Sequence, residues 1–205
     1  MGRNEHMVIL LALLASSMLV RSAPGEDWSK SAEAAFLTKE ERQEWKVLHS
    51  DESREEFKKL YWSRRDPNPL TETNEFREMV AARIRSADAQ FSVGKTPGSR
   101  TARGLVFIVL GRPSTQQQTV GPLSRAPEMT TPGRLSIPND AFATTEFHTW
   151  IYDRDTRADV LSILGAPHVE IPFIVEPGHR DELQQPGRFH EWQEIVARAS
   201  IVRRE

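Results

Sequence analysis

The most regular hydrophobic pattern in the chain lies between residues 71 and 91. Five apolar residues recur there at spacings of four, four, three and four positions: Phe76, Val80, Ile84, Ala87 and Phe91. Such spacing places side chains on one face of an α-helix. We therefore predict an amphipathic helix that begins at Thr71 or Thr73 and ends near residue 91.

Two shorter helices are predicted before it. Thr38 and Glu41 have the spacing of a capping box, in which each side chain bonds the backbone amide of the other residue. Ser50 is placed to cap a second helix, which would bury three residues just before Trp62: Phe57, Leu60 and Tyr61. The segment Asp66-Pro67-Asn68-Pro69 would end this helix, because proline does not fit a helix interior.

Beyond residue 103 the pattern is typical of strands. Gly104–Leu110 is a continuous apolar run with β-branched residues, which favours a strand buried on both faces. Residues 147–152 predict a second strand and His168–Val175 a third, which Pro172 places at a sheet edge or a bulge. A closing helix is predicted from four apolar positions: Phe189, Trp192, Ile195 or Val196, and Ala199.

Together these elements predict an α+β fold. An N-terminal layer of about three helices would pack on a small, mainly antiparallel sheet, with a C-terminal helix closing the domain. We assign residues 26–205 to this single domain. The connection at 112–144 carries three consecutive glutamines and several prolines with little apolar periodicity. It is predicted to be a long loop, either disordered or loosely draped, or a lid over a binding site.

The first 23 residues have the pattern of an export signal. Met7–Val20 is almost wholly apolar, and it is shorter than the roughly 20 residues that a membrane-spanning helix needs. It suits the hydrophobic region of a secretory signal peptide. Ser22-Ala23 could precede a cleavage site, but Arg21 and Pro24 disfavour cleavage. We predict export to the periplasm or cell envelope, with an uncleaved N-terminal anchor as the alternative and no other membrane contact.

Composition excludes several kinds of function. The 205 residues are 38% hydrophobic and 27% charged with a formal net charge of −2. This composition suits a globular protein and gives no broad basic surface for nucleic acid. The chain has no cysteine, so thiolate catalysis, disulfides and cysteine metal sites are excluded. Its histidines lack the spacing of a helical zinc motif, and we predict neither a metal nor a cofactor.

Several motifs follow one another in a characteristic order. They are Phe36–Arg42, Tyr61–Pro69, Thr73–Phe76 with Arg83, Arg103-Gly104, Gly111-Arg112-Pro113 and Trp150-Ile151-Tyr152. This order resembles that of the GWxTD-domain family of exported or envelope-associated bacterial proteins. The resemblance implies the family's fold and a place in the cell envelope, and it implies no particular chemistry.

The motif that names this family is altered in the chain. Gly98-Ser99-Arg100-Thr101-Ala102 has Ser99 in place of tryptophan and Ala102 in place of aspartate. A ligand site built from those two residues in relatives would be missing here, whereas a role in packing a turn could survive. The positions that carry the resemblance are Pro67, Gly98, Thr101, Arg103, Gly104, Gly111, Pro113, Trp150 and Tyr152.

Six polar residues near the Arg-Asp-Pro corner form the most suggestive cluster: Arg64, Arg65, Asp66, Asn74, Glu75 and Arg83. One interpretation is structural, with Asp66 and Glu75 pairing with the arginines and tying two helices together. The other is a small-anion site at the Arg64–Arg65 turn, because guanidinium groups and helix N-termini both bind anions.

The remaining hypotheses concern catalysis and surface recognition. A periplasmic hydrolase acting on a peptide or glycan would use Asp66, Glu75 or the Glu146–His148 pair, but the chain has no G-x-S-x-G elbow or phosphate loop. The aromatic residues could form a core or a recognition surface: Trp45, Tyr61, Trp62, Trp150 and Trp192.

The favoured hypothesis is a non-catalytic interaction or structural module of the cell envelope. Its partner would be an unidentified envelope protein or peptide, met through the 112–144 connection or the sheet edge near Pro172. An exposed edge strand can bind a partner by strand addition. The hydrolase and the small-anion-binding protein are the alternatives.

Overall fold

A computed structural model of the protein describes residues 27–122, 128–131, 134–136, 144–176 and 178–202. The predicted signal or anchor, residues 1–23, lies outside this part of the chain. Within it, no helix combines the length and the apolar composition that crossing a membrane requires.

Helix α1 (Lys39–Val47) begins as the sequence predicts. The Thr38 hydroxyl accepts a hydrogen bond from the Glu41 amide at 3.2 Å, and the Glu41 carboxylate accepts one from the Thr38 amide at 3.0 Å. This reciprocal pair is the predicted capping box. A short 3₁₀ helix, Ala32–Phe36, precedes it and is largely buried.

Helix α2 (Asp51–Ser63) is capped by Ser50, as predicted. Its buried residues are Phe57, Tyr61 and Trp62. Leu60, which we expected on the buried face, is 42% exposed. The apolar stripe therefore continues to Trp62, and Leu60 lies beside it.

Helix α3 (Glu75–Phe91) confirms the prediction from the hydrophobic spacing. Its cap is Asn74 instead of Thr71 or Thr73, because the Asn74 side-chain oxygen accepts from the Arg77 amide at 2.9 Å. Three of the five spaced apolar residues are buried, and two are half-buried. The buried ones are Val80, Ala87 and Phe91.

Helix α4 (Ala102–Leu110) corrects a prediction, since its residues were expected to form a strand buried on both faces. The Thr101 hydroxyl caps the helix by accepting from the Gly104 amide at 3.1 Å. Gly111 ends it with φ +76°. The helix is buried on most of its circumference, and a short apolar run has the same composition in a buried helix as in a buried strand.

The main sheet has the order β1-β4-β5-β6, and its neighbouring strands are antiparallel. β4 (Thr144–Asp153) contains the predicted second strand, and β5 (His168–Val175) is the predicted third. β6 (Glu182–Leu183) pairs with only two residues of β5.

The predicted long loop at 112–144 contains strands and is corrected accordingly. β1 (Thr115–Pro122) pairs with β4 along its whole length. β2 (Glu128–Thr131) and β3 (Arg134–Ser136) form a separate two-stranded sheet. β1 was missed because its first six residues, Thr115–Val120, are exposed, so no apolar alternation marks it.

Two further helices flank β5. α5 (Arg154–Leu164) has no counterpart among the predicted elements, although Asp153 caps it by accepting from the Thr156 amide at 3.2 Å. α6 (Pro186–Ala199) is the predicted closing helix. Its buried face includes Val196, whereas Ile195 is 39% exposed.

The helices pack on one face of the main sheet. Phe91 of α3 contacts Trp150 of β4, with ring centroids 5.4 Å apart, and Trp150 contacts Phe173 of β5 at 5.1 Å. All five aromatic residues proposed as core or surface are at most 9% exposed, which confirms the core interpretation. The fold is α+β, as predicted, with four N-terminal α-helices instead of three.

Candidate functional site

Arg65 is the buried centre of the polar cluster, with only 1% of its surface exposed. Its Nη1 and Nη2 atoms donate to the two carboxylate oxygens of Glu41 at 3.0 and 2.6 Å. The guanidinium also donates to the carbonyls of Phe36 and Tyr61 and to the hydroxyl of Ser200. All three of its nitrogens are therefore bonded, and the side chain joins α1, α2, the Ala32–Phe36 helix and the end of α6.

The carboxylate that pairs with Arg65 is not one that we predicted. Asp66 instead accepts a hydrogen bond from the Asn68 amide at 3.1 Å, within its own turn. Glu75 accepts one from the Thr71 hydroxyl at 3.0 Å. Both predicted carboxylates therefore stabilise the connection between α2 and α3, and Glu41 supplies the counter-charge.

Arg64 and Asn74 lie on either side of this corner. Arg64 Nη1 is 3.6 Å from Glu41 and 3.9 Å from Glu44. Asn74 donates from its amide to the Trp62 carbonyl at 2.8 Å, which ties α3 to α2. A small anion at the Arg64–Arg65 turn would face two carboxylates, so the geometry favours the structural interpretation of this cluster.

Arg83 belongs to a different site, at the C-terminal end of α4. Its Nη1 atom donates to the carbonyls of Ile108 and Val109 at 2.8 and 3.2 Å. Arg157 of α5 approaches the same helix end and donates to the Leu110 carbonyl at 2.6 Å. Burial, together with the neighbouring Arg157 charge, lowers the pKa of Arg83. The structure therefore separates Arg83 from the Arg-Asp-Pro corner.

The opposite end of α4 holds Gly98–Ala102, the segment that resembles an altered GWxTD motif. Gly98–Arg100 forms a 3₁₀ turn, and Thr101 caps the helix that follows. The buried carboxylate of Asp181 accepts from the amides of Ala102 and Arg103, both at 3.0 Å, and from Arg103 Nε at 2.7 Å. Ala102 stands where the resemblance expects aspartate, and Asp181 supplies the negative charge that a helix N-terminus favours.

Asp181 was not identified from the sequence. It lies 79 residues from Ala102 along the chain, and no local motif marks it.

We expect Asp181→Ala to lower the free energy of unfolding by about 2 kcal/mol, because three donors lose a charged acceptor. Urea unfolding followed by tryptophan fluorescence measures the change. Glu182→Ala is the matched control, since Glu182 is adjacent and exposed. Equal losses from the two substitutions would contradict a stabilising role for the Asp181 contacts.

Four other positions that carry the resemblance lie at the end of α4, just after it, or on β4. The Tyr152 hydroxyl donates to the Gly111 carbonyl at 3.1 Å. Burial raises the pKa of Tyr152, so the phenol remains a donor at neutral pH. Trp150 lies on the same face of β4. Pro113, in the connection from α4 to β1, is buried.

The histidine and carboxylate pairs lie on the strands. His148 contacts Glu146 at 2.9 Å on β4, and His168 contacts Glu170 at 2.9 Å on β5. The two residues of each pair are two positions apart, so they lie side by side on one face of their strand. Among the described residues, no three histidine or acidic side chains form a group that could hold a metal. The hydrolase candidates are thus divided between the α2–α3 corner and β4.

The outer edge of the main sheet is the most exposed feature of the fold. In the part of the chain that the structure describes, β1 pairs with β4 on one side and with no strand on the other. Every residue from Thr115 to Val120 is exposed, so the helical layer does not extend over this strand. The segment is uncharged, although natural edge strands are commonly protected by charges.

The sheet edge near Pro172 is more occupied than predicted. β6 pairs with Phe173 and Ile174. The Gln184 amide donates to the Pro172 carbonyl at 3.1 Å. Among the described residues, β6 and Gln184 thus cover the β5 edge from Pro172 to Ile174, whereas the outer edge of β1, within the connection at 112–144, pairs with no strand.

Comparison with known proteins identified no family, since no family model, no curated protein and no solved structure matches this chain. The resemblance to the GWxTD-domain family therefore stays a prediction from the sequence.

Proposed function

We propose that this protein is an exported, non-catalytic interaction module of the bacterial cell envelope. It binds an extended segment of an envelope protein or peptide along the outer edge of β1. Export is inferred from the apolar segment at residues 7–20 and from the motif order described above. The observation that carries the binding proposal is an edge strand that is exposed on both faces and bears no charge.

The chemistry of β1 suits strand addition. Alternate residues of an antiparallel edge strand direct their amides and carbonyls away from the sheet, where a partner strand can bond them. The three glutamines Gln116–Gln118 and the threonines at either end add side-chain donors and acceptors. A polar extended segment would therefore gain both main-chain and side-chain hydrogen bonds.

The alternatives have less support from the geometry. The Arg65 guanidinium is fully used by Glu41, by the Ser200 hydroxyl and by backbone carbonyls, which leaves the corner little capacity to bind a free anion. Asp66, Glu75 and His148 each bond to a residue within four positions in the chain. These contacts suit structural roles better than a shared catalytic site.

A pair of proline substitutions tests the proposal. Of the neighbours Gln117 and Gln118, one directs its amide toward β4 and the other away from it. Gln→Pro at the outward position removes a donor that a partner needs, and it leaves the ladder with β4 intact. Gln→Pro at the inward position removes a ladder bond and lowers stability. Thermal unfolding of Gln117→Pro and Gln118→Pro identifies the inward position, because only the proline at that position should lower the melting temperature.

The binding assay uses a photo-crosslinking residue at Thr119, with the full-length protein in its own cells. We expect one envelope polypeptide to be crosslinked, and the outward proline to lower the yield by about tenfold or more, equivalent to at least 1.4 kcal/mol. Crosslinking that is unaffected by the outward proline would overturn the β1 proposal. Crosslinking only to a second copy would overturn the partner assignment, and absence from the envelope fraction would overturn export.

A further inference from the structure

A cavity of about 160 Å³ lies among α3, α4, α5 and α6, apart from the residues of β1. Its walls are largely apolar and include Phe76, Met79, Val160 and Ile163. Ile163 is 43% exposed, so the cavity opens to solvent along α5. A cavity of about 150 Å³ holds a molecule the size of benzene, and this one therefore has room for a small organic ligand.

Arg83 and Arg157 line one end of this cavity, and their guanidinium groups converge beside Gly111. The Nη2 atoms of Arg83 and Arg157 lie 3.1 and 3.2 Å from the point where a β-carbon on Gly111 would lie. The two nitrogens are therefore at most about 6.3 Å apart, the sum of these distances. Both hydrogens of Arg157 Nη2 are already donated, one to the Leu110 carbonyl and one to Asp159. Arg83 Nη2 therefore supplies the donor for a ligand carboxylate, and Arg157 adds a positive charge beside it.

The charges at this end of the cavity do not balance. Asp159 bonds Arg157 through both carboxylate oxygens at 3.1 Å, which neutralises one guanidinium. Arg83 donates to carbonyls at the end of α4, which carries only about half a negative charge. Among the described residues, no carboxylate lies within ion-pair distance of Arg83. The hydrogen bonds that Arg83 makes to these residues come from Nη1, and Nη2 makes none.

A partly buried cation of this kind favours a counter-ion. Burial and the Arg157 charge already lower the pKa of Arg83, and an anion beside both groups would offset the two effects. The apolar walls would at the same time select an anion with an apolar body.

We propose that this cavity binds a small monocarboxylic acid with an apolar body of about six carbon atoms, its carboxylate accepting from Nη2 of Arg83 beside the Arg157 charge. The site is independent of strand addition at β1, since it uses none of the same residues. Charge and shape thus define the ligand class as an aromatic or short aliphatic acid.

Titration calorimetry with benzoate and hexanoate tests this assignment, with amide NMR signals of Gly111 and Ile163 reporting the location. We expect saturable binding of at least one acid. Benzyl alcohol and hexanol should bind about tenfold more weakly or worse, since losing a charge-assisted hydrogen bond costs at least 1.4 kcal/mol. Acetate should also bind more weakly, because it lacks the apolar body.

Substitutions complete the test. Arg83→Met should weaken acid binding by about tenfold or more, whereas Arg85→Met, an exposed position on the same helix, should leave it unchanged. If Arg83→Met does not fold, two other substitutions replace it in the test. Arg83→Lys and Ile163→Trp should both weaken binding, the second because a larger side chain narrows the opening of the cavity.

Three results would overturn the proposal. The first is the absence of binding by either acid. The second is acetate binding as tightly as benzoate, which would indicate a simple anion site. The third is tighter binding by a short peptide that ends in phenylalanine with a free carboxylate, which would assign the cavity to a chain terminus.

Discussion

Replacing Arg65 by methionine is expected to lower the free energy of unfolding by about 3–5 kcal/mol. The substitution removes both guanidinium hydrogen bonds to the Glu41 carboxylate, which is 3% exposed, and among the described residues leaves it only the half-exposed Arg64 at 3.6 Å as a counter-charge. It also leaves the Phe36 carbonyl and the Ser200 hydroxyl without a donor. Urea unfolding followed by tryptophan fluorescence measures the loss, because three tryptophans lie in the helical layer formed by the first two helices and the segment before them.

Arg64→Met is the matched control for this prediction. Arg64 is adjacent, has a side chain that is 36% exposed, and lies 3.6 Å or more from its carboxylate neighbours. Its removal should cost about 1 kcal/mol or less, whereas the structural interpretation of the sequence predicts that Arg64 pairs with Asp66 or Glu75. The double variant Arg65→Met with Glu41→Leu should recover part of the loss, since no buried charge remains unpaired. Equal losses from Arg64→Met and Arg65→Met would contradict this account.

Gly98→Ala is expected to be as damaging, at about 3 kcal/mol or more, because it forces atoms into a closely packed backbone contact. A β-carbon on Gly98 would lie well under 3.0 Å from the Ala87 carbonyl oxygen of α3. One on Gly104 would meet the Gly98 carbonyl oxygen equally closely, so Gly104→Ala should behave in the same way. The obstructing atoms belong to the backbone and cannot rotate away.

Gly187→Ala provides the control for both glycines. Gly187 lies in the first turn of α6, and a β-carbon there would have no neighbour within 4 Å. This change should be neutral or stabilise by up to about 1 kcal/mol, the difference in helix propensity between alanine and glycine. Chemical unfolding and near-ultraviolet circular dichroism compare the three variants. A Gly98→Ala protein as stable as the unsubstituted protein would show that α3 and the Gly98 turn are not in close contact.

The glycine contacts also give a physical reason for the family-like positions. Gly98 and Gly104 allow the turn before α4 to lie against α3, and Thr101 and Asp181 bond the amides that begin α4. All these contacts are among backbone groups or caps. The altered motif can therefore retain its packing role although Ser99 and Ala102 depart from the pattern of the resemblance.

Three helices were predictable because their signals are local. The capping box at Thr38 and Glu41 and the cap at Ser50 each involve residues three positions apart. The apolar spacing of α3 depends only on the period of the helix. The closing helix and strands β4 and β5 were recognisable for the same reason, since each has one face in the core and a pattern with a single period.

Four other features depend on contacts between distant segments. α4 resembles a strand in its composition because its neighbours bury most of its surface, and β1 exists through a ladder with residues about 30 positions later. Arg65 meets Glu41 across 24 residues, and Asp181 meets Ala102 across 79. Such partners are chosen by which side chains the folded chain brings together. Spacing along the chain therefore established the local elements, whereas the ion pair, the open sheet edge and the cavity at Arg83 arise only from packing.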